Sequence, residues 1–441
     1  MVRSTARKSA LLLAPFWSRP QHVGRQRVER FLRWLQNAGW SIVLVRAGDR
    51  DVVESAPWGL EISIRDPLGL HREVSQGGTP SCLKKEYPVW IRYAAYLIFN
   101  PDPGIVWARR VIGNPHIQEA ARQAEWILAS SPPESAHVAA RFLAEQSGAR
   151  LLVDMRDGWL DEPLKDSLNR SSVRRWREGR LERRVLESAD RITVTSSLWR
   201  ELLSERYPRW AEKVSVLPNC YPPEGQKSAE GFPASGRIVL LHAGQFTGSK
   251  FNNRPELLLA PIIESAGSEL GAKLSVNLRG RFTRKDLKEI KFWQKRYRQW
   301  GADLAIYPPV SPQELAPLLR KASGLLLLSA TRASIVAKLF DYLPSRRPIL
   351  AVTPEGSSIW KIAASVPQMF SVNPDQPEAM QKKVREFLDA CQSKEIDSAV
   401  PEEFTEQFQE KIFLELLSTS PAAVTKQERG DILQPTIARA E

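Results

Sequence analysis

Short apolar runs bounded by turn residues alternate with longer stretches of helical periodicity through almost the whole chain, and βα units feeding a parallel sheet satisfy that rhythm. Strands are expected near residues 9–15, 41–46, 125–130, 149–155, 191–196 and 213–218, with helices near 24–38, 134–147, 171–188 and 197–206. The helix ending at Ala189 reads as solvent-facing and Arg-rich. From Cys220 to Gly236 (CYPPEGQKSAEGFPASG) prolines, glycines and small polar residues interrupt the pattern, which marks a linker. A second βα series follows, with strands near 237–243, 273–279, 303–308, 324–329, 348–353 and 368–372. The fold class is therefore α/β with two Rossmann-like domains, at 1–220 and 237–400, joined by a linker at 221–236. Residues 401–441 hold an amphipathic helix from Phe404 to Leu417 and a tail expected to be poorly ordered. No repeat of solenoid period is visible.

The 441 residues carry 63 Lys and Arg against 50 Asp and Glu, so a net charge of +13 asks for an anionic partner. Residues 1–50 hold ten basic residues against two acids, and Lys84–Phe99 interleaves cations with Trp90, Tyr93, Tyr96 and Phe99. Such a mixture suits the headgroup region of an anionic membrane and equally a helix whose aromatic side enters the core. No zinc-finger spacing, RNA-recognition strand motif or basic zipper accompanies the charge, so nucleic acid is not expected as a partner. Three distant cysteines, Cys82, Cys220 and Cys391, exclude a disulfide framework and any CxxC site, and suit a cytoplasmic location. MVRSTARKSALLLAPFW has a basic head and an apolar run but no A-x-A cleavage pattern, so a first strand is expected there. Uninterrupted apolar stretches of about 18 residues are missing, which excludes a transmembrane helix and leaves only peripheral membrane contact.

In open parallel sheets ligands sit beyond the carboxyl ends of the strands, so the loops there are where chemistry is sought. After the first strand, PFWSRPQHVGRQRVERF places Gly24 at a helix start, where a backbone without Cβ can approach a phosphate. DMRDGWLDEP, after the fourth expected strand, offers Asp154, Arg156 and Asp157 for sugar hydroxyls or a general base, with internal Arg–Asp pairing as the plainer reading. ASSPPESAHVAARFLAE puts His137 at the same rim, or on a solvated helix face. LLHAGQFTGSKFNNRPELLLAPI supplies Gly244, Gly248, Lys250 and Arg254 before a helix, a loop able to bind a diphosphate through amides and cations together. It misses the Walker A spacing, because Ser249 separates Gly248 from Lys250. Lys338 and Asp341, three apart on a helix, present neighbouring charges, as an ordinary surface ion pair also would. Asp49-Arg50-Asp51 has the D-x-D spacing of metal-binding sugar transferases, a spacing that also arises by chance, and no metal is expected.

FNPDPGIVWARR, ILASSPPESAHVAARFLA, LLVDMRDGW, RRVLESADRITVTS, KVSVLPNCY, LLHAG and KLFDYLPSRRPILAVTP, in that order over residues 10–395, resemble blocks of family four of the retaining GT-B glycosyltransferases. The resemblance implies two Rossmann-like domains facing each other across a cleft, the first taking the acceptor and the second a nucleotide sugar. It implies that Lys250 and Arg254 neutralise the departing diphosphate, where charge grows in the transition state, and that Asp341 accepts ribose hydroxyls. Asp341 falls on the second acid of the family's E-x7-E element, whereas the first acid falls at Ala333 and is missing. Cys220 replaces the glycine of the family's Asn-Gly after Asn219.

The expected function is metal-independent transfer of a sugar, with retention, from a nucleoside-diphosphate sugar to a surface polysaccharide or lipid-linked acceptor. No cofactor beyond the donor substrate is expected. Lys250, Arg254, Asp157 and His137 are the candidate catalytic residues. Gly244, Lys250, Arg254, Lys338 and Asp341 would hold the donor, and Gly24, Arg156 and Asp157 the acceptor. Closure about the linker would exclude water. Two other readings share the architecture: a nucleotide-sugar 2-epimerase, and a non-catalytic scaffold of a polysaccharide assembly complex, which the missing acid at Ala333 favours.

Overall fold

A computed structural model describes residues 8–19, 22–71, 98–161, 171–221, 236–246, 253–393, 398 and 400–419. Nearly all of Lys84–Phe99, Cys82, Gly248, Lys250, most of the linker and the tail after 419 lie outside the described residues.

The first domain is built on strands β1 (Ser9–Ala14), β2 (Ser41–Gly48), β3 (Val52–Ala56), β4 (Gly59–Arg65), β5 (Trp126–Ser131), β6 (Arg150–Met155), β7 (Arg191–Val194) and β8 (Val214–Val216). They form one sheet in the order β3-β4-β2-β1-β5-β6-β7-β8. Every pairing is parallel except the β3–β4 hairpin at the edge. Its helices are α1 (Val23–Asn37), α2 (Ile105–Gly113), α3 (Pro115–Gln123), α4 (Ser135–Ser147), α5 (Ser172–Ser188) and α6 (Ser197–Arg206). The second sheet, β11-β10-β9-β12-β13-β14, is wholly parallel. Its strands are β9 (Ile238–Ala243), β10 (Leu274–Arg279), β11 (Asp303–Tyr307), β12 (Gly324–Leu328), β13 (Ile349–Val352) and β14 (Met369–Val372). Helices α7 (Glu256–Gly271), α8 (Arg284–Gln299), α9 (Pro312–Lys321), α10 (Lys338–Tyr342), α11 (Ser358–Ala363), α12 (Pro377–Ala390) and α13 (Glu406–Ser418) complete the described fold.

Strand composition follows from burial on both faces. In β1, Leu11 and Leu13 enter one apolar cluster while Ala10, Leu12 and Ala14 enter the cluster on the opposite face. A strand covered on both sides reads as a continuous apolar run, which is why β1 resembles a signal sequence. Sequence periodicity did not anticipate the β3–β4 hairpin, because Glu54 and Glu61 face each other across it and β3 is largely exposed. Helix starts are fixed chemically: Thr283 with Asp286 and Ser311 with Glu314 form reciprocal capping boxes at α8 and α9.

Helix α13 belongs spatially to the first domain. Phe413 stacks on Phe31 of α1 at 4.6 Å, the Trp34 indole donates to Glu406 at 3.0 Å, and the Trp126 indole donates to the Leu417 carbonyl at 3.2 Å. The chain leaves the first domain, builds the second, and returns.

One buried ion pair ties the first domain's rim to its exit. The Arg27 guanidinium grips both oxygens of Asp154 at 2.7 Å and also donates to Leu217 O at 2.8 Å and to Asn219 Oδ1 at 3.2 Å. Ser130 and Thr193 hydroxyls each donate to Asp154 at 2.6 Å. Arg27 thus holds α1, the end of β6 and the turn that leaves the domain.

Candidate functional site

In the second domain the site gathers at the carboxyl end of β9. Gly244 follows that strand with φ of 126°, a left-handed backbone that favours glycine. A Cβ on Gly244 would come 2.9 Å from the Lys338 ammonium, so the missing side chain is what lets Lys338 lie over this turn. His242, fully buried, places Nδ1 2.9 Å from the Leu326 carbonyl. A carbonyl can only accept, so Nδ1 carries the proton and the Nε2 lone pair faces Lys338 Nζ at 3.4 Å. Phe246 stacks on the imidazole at 4.4 Å and 5°, and the Tyr342 hydroxyl accepts from the Ala243 amide at 2.8 Å.

Electrostatics follow from this crowding. Burial pulls the Lys338 ammonium down to about 7, with Asp341 opposing the shift. Burial also holds His242 well below its ordinary value, and the neighbouring Lys338 charge adds to the effect. The Asp341 carboxyl is pushed up to about 6 by burial, against the attraction of Arg30 and Lys338. Asp341 keeps an exposed surface although protein atoms crowd around its carboxyl. Arg30 belongs to α1, so the charge facing Asp341 comes from the other domain.

A second contact joins the domains at Ala333, the position of the missing acid. Its carbonyl accepts from Ser196 Oγ of the first domain at 2.6 Å and from Ser358 Oγ at 2.8 Å.

The first-domain rim assembles around Gly24 and Arg156. A Cβ on Gly24 would stand 3.0 Å from the Arg156 guanidinium and 2.9 Å from His22 Nδ1, which accepts the Gly24 amide at 3.1 Å. Arg156 also donates to the carbonyls of Ser131 at 2.8 Å and Pro132 at 2.9 Å, bracing the loop after β5. Phe16 stacks on His22 at 3.9 Å, and burial with nearby Arg156 lowers that imidazole to about 4. Asp157 lines an adjoining recess with Trp159, Asp161, Glu182 and Trp199. Burial raises the Glu182 carboxyl to about 7 although Tyr207 donates to it at 2.8 Å.

Two sequence expectations need correcting. Asp154 does not face substrate: it is wholly buried, and Arg27, Ser130 and Thr193 occupy both oxygens. His137 does not reach the rim either. It is fully buried 6.3 Å from Trp159, neither ring nitrogen has a hydrogen-bond partner among the described residues, and burial lowers it to about 4, so it stays neutral. Asp51 of the D-x-D triplet accepts from the Arg65 amide at 2.7 Å and pairs with Arg110 at 2.8 Å, a structural use at the sheet edge. Replacing His137 by phenylalanine should leave turnover within about twofold and change stability by no more than about 2 kcal/mol, because two unpaired buried polar atoms disappear. Urea unfolding with an initial-rate assay checks this, and a large loss of rate at unchanged stability would restore a catalytic role.

Of the other expected donor ligands, Gly244, Lys338 and Asp341 come together, while Lys250 falls outside the described residues. Arg254 is exposed and paired with Glu256 two residues on. Its neighbour Asn253 is buried and accepts the Ala330 amide at 2.8 Å, pinning this loop to the end of β12. Sequence reasoning missed His242, Arg30, His22 and Asn253. A histidine ending an apolar strand in LLHAG was the available signal for the first.

Residues 24–220 match the model of the glycosyl transferase 4-like domain. The whole described architecture matches solved GT-B structures at low identity. The E. coli trehalose-6-phosphate structure bound with UDP-2-fluoro glucose is 13% identical over 94% of this chain and 100% of that one, with a TM-score of 0.61. The chain has the GT-B fold. Sucrose-phosphate synthase from Thermosynechococcus elongatus (13%, 94% and 100% covered, TM-score 0.58) is also similar to this GT-B chain. So is Anabaena HepE in complex with UDP and glucose (11%, 93% and 100%, TM-score 0.58). No curated protein matches it significantly.

Proposed function

We propose that this glycosyltransferase moves a sugar, with retention and without a metal, from a nucleoside-diphosphate sugar to a surface polysaccharide or lipid-linked acceptor on the cytoplasmic side of a membrane. The observation that carries the reading is the cluster of Gly244, Lys338 and Asp341 facing Arg30 across the cleft. A glycine turn admits a diphosphate close to backbone, an adjacent ammonium neutralises the charge that grows on it, and a carboxylate accepts two ribose hydroxyls. HepE holds UDP and glucose, and the E. coli structure UDP-2-fluoro glucose, in the same fold, which supports a nucleotide-sugar donor. Gly24, Arg156 and His22 would orient the acceptor from the first domain. No described helix is long and apolar enough to cross a membrane, so a lipid-linked acceptor would be met at the surface.

The pH dependence has a definite sign. Diphosphate binding needs Lys338 protonated, so affinity falls as pH rises through about 7. Ribose binding needs Asp341 ionised, so affinity falls as pH drops through about 6. Calorimetric titration with a nucleoside diphosphate should give a bell between these limbs, with the acid limb lost in Asp341→Asn. Thermal unfolding against a panel of nucleoside diphosphates names the donor base, since ligand at about 100 times its dissociation constant adds roughly 2.7 kcal/mol. A shift lost in Asp341→Ala supports the site, and no shift with any nucleotide sinks it. Donor consumption without acceptor, yielding an epimer, would replace transfer by epimerisation. Nucleotide binding without turnover would favour the scaffold.

A further inference from the structure

Helix α5 has a face that neither the cleft nor the core uses. Its inward side carries Glu178, Glu182, Val185 and Leu186, all buried. Glu178 accepts from the Trp159 indole at 2.6 Å and Arg174 at 2.7 Å, so the acids of this face are spent inside. Opposite them, Val173, Trp176, Arg177, Arg180, Arg183 and Arg184 recur at spacings of three, four, seven, ten and eleven, which places them in one outward arc about 16 Å long. Val173 is 67% and Trp176 63% exposed, among the most exposed large apolar side chains of the described residues. The Arg180 guanidinium lies 5.6 Å from the Trp176 ring, and Arg177, Arg180 and Arg184 form no ion pair among the described residues. The one acid in the arc is Glu187, at its far end.

We propose that this arc docks the first domain on an anionic lipid bilayer. The chemistry selects that partner. An exposed indole and valine side by side, ringed by guanidiniums that form no ion pair among the described residues, match the boundary between acyl chains and phosphate headgroups. The arc is a convex ridge on a single helix, suited to a deformable plane. Because α5 follows β6 in a parallel sheet, its first turn lies at the carboxyl edge of the strands, the same edge as Arg156 and Asp157. Docking through Val173 and Trp176 therefore brings the membrane to the acceptor side of the cleft. The docking surface stands whether or not the transfer reaction holds, and its test does not use turnover.

Helix α8 supplies the internal competitor. Arg284, Lys288, Lys291, Lys295 and Arg298 also share one exposed face, with the exposed Phe292 at its edge. Flotation with vesicles of phosphatidylglycerol and phosphatidylcholine, against phosphatidylcholine alone, measures binding of the full chain. The wild type should float only with the anionic vesicles and be released by salt. Trp176→Ser with Val173→Ser should abolish flotation, and the triple change Arg177→Gln, Arg180→Gln, Arg184→Gln should lower partitioning about 100-fold. All variants should keep the wild-type melting temperature, since every changed side chain is exposed. Flotation unchanged in both α5 variants overturns the proposal. So does loss of flotation only when Lys288, Lys291 and Lys295 are changed to glutamine. Binding of an acidic protein or heparin through α5, with no flotation of the wild type, overturns it in favour of a soluble polyanion.

Discussion

Lys338→Met is expected to lower kcat/KM for the donor by about 100- to 1000-fold, the range found when one preorganised hydrogen-bond donor is removed from a developing negative charge. The melting temperature should hold or rise, because burial already pulls the ammonium down to about 7 and a methionine has no charge to bury. Gly244→Ala should reproduce the kinetic loss without touching the lysine. Its Cβ would stand 2.9 Å from the ammonium on a backbone with φ of 126°, so Lys338 must move. Steady-state rates with calorimetric nucleotide titration test both variants. Unchanged rates in Lys338→Met would remove this lysine from the donor site and return the role to the loop before α7.

Arg27→Met is expected to destabilise the first domain by about 3–5 kcal/mol, the cost of leaving one partner of a buried ion pair uncompensated. Burial alone would raise the Asp154 carboxyl, yet Arg27 and the two hydroxyls hold it below its ordinary 3.8. That depressed value makes the pair's contribution present above pH 3.8 and lost as the pH falls below it. In Arg27→Met the dependence reverses, since an unpaired buried carboxyl binds its proton more tightly than in the unfolded chain and the deficit shrinks on mild acidification. Urea denaturation at pH 5 and pH 7 reads both effects. The double change with Asp154→Leu should recover part of the loss, and strict additivity would show that the two side chains are not coupled.

The strands were legible because a parallel sheet buried on both faces writes itself as uninterrupted Leu, Ile and Val. Gly244 was legible because it lies just beyond a strand end, whereas Lys338 and Asp341 drew notice as charges three apart on a helix, with Asp341 singled out by the family resemblance. The fate of Asp154 was not: its partner is 127 residues away, and spacing along the chain carries no information about that distance. His137 misled for a related reason, since a histidine on an amphipathic helix reads the same whether Trp159 covers it or solvent does. Ala333 was read as a missing carboxylate, whereas its carbonyl, invisible in any side-chain pattern, is what joins Ser196 to Ser358. The edge hairpin escaped because its exposed strand has no apolar periodicity to detect.

The return of α13 to the first domain imposes an order on biosynthesis. Trp34 finds its partner Glu406 372 residues later, and the Phe31 ring waits as long for Phe413. During translation one face of the first sheet is therefore covered by α1 alone on its Trp34 side while the entire second domain is made. A nascent chain in that state exposes aromatic surface for many seconds at ordinary elongation rates, and holding it soluble becomes a task for the cell rather than for the fold.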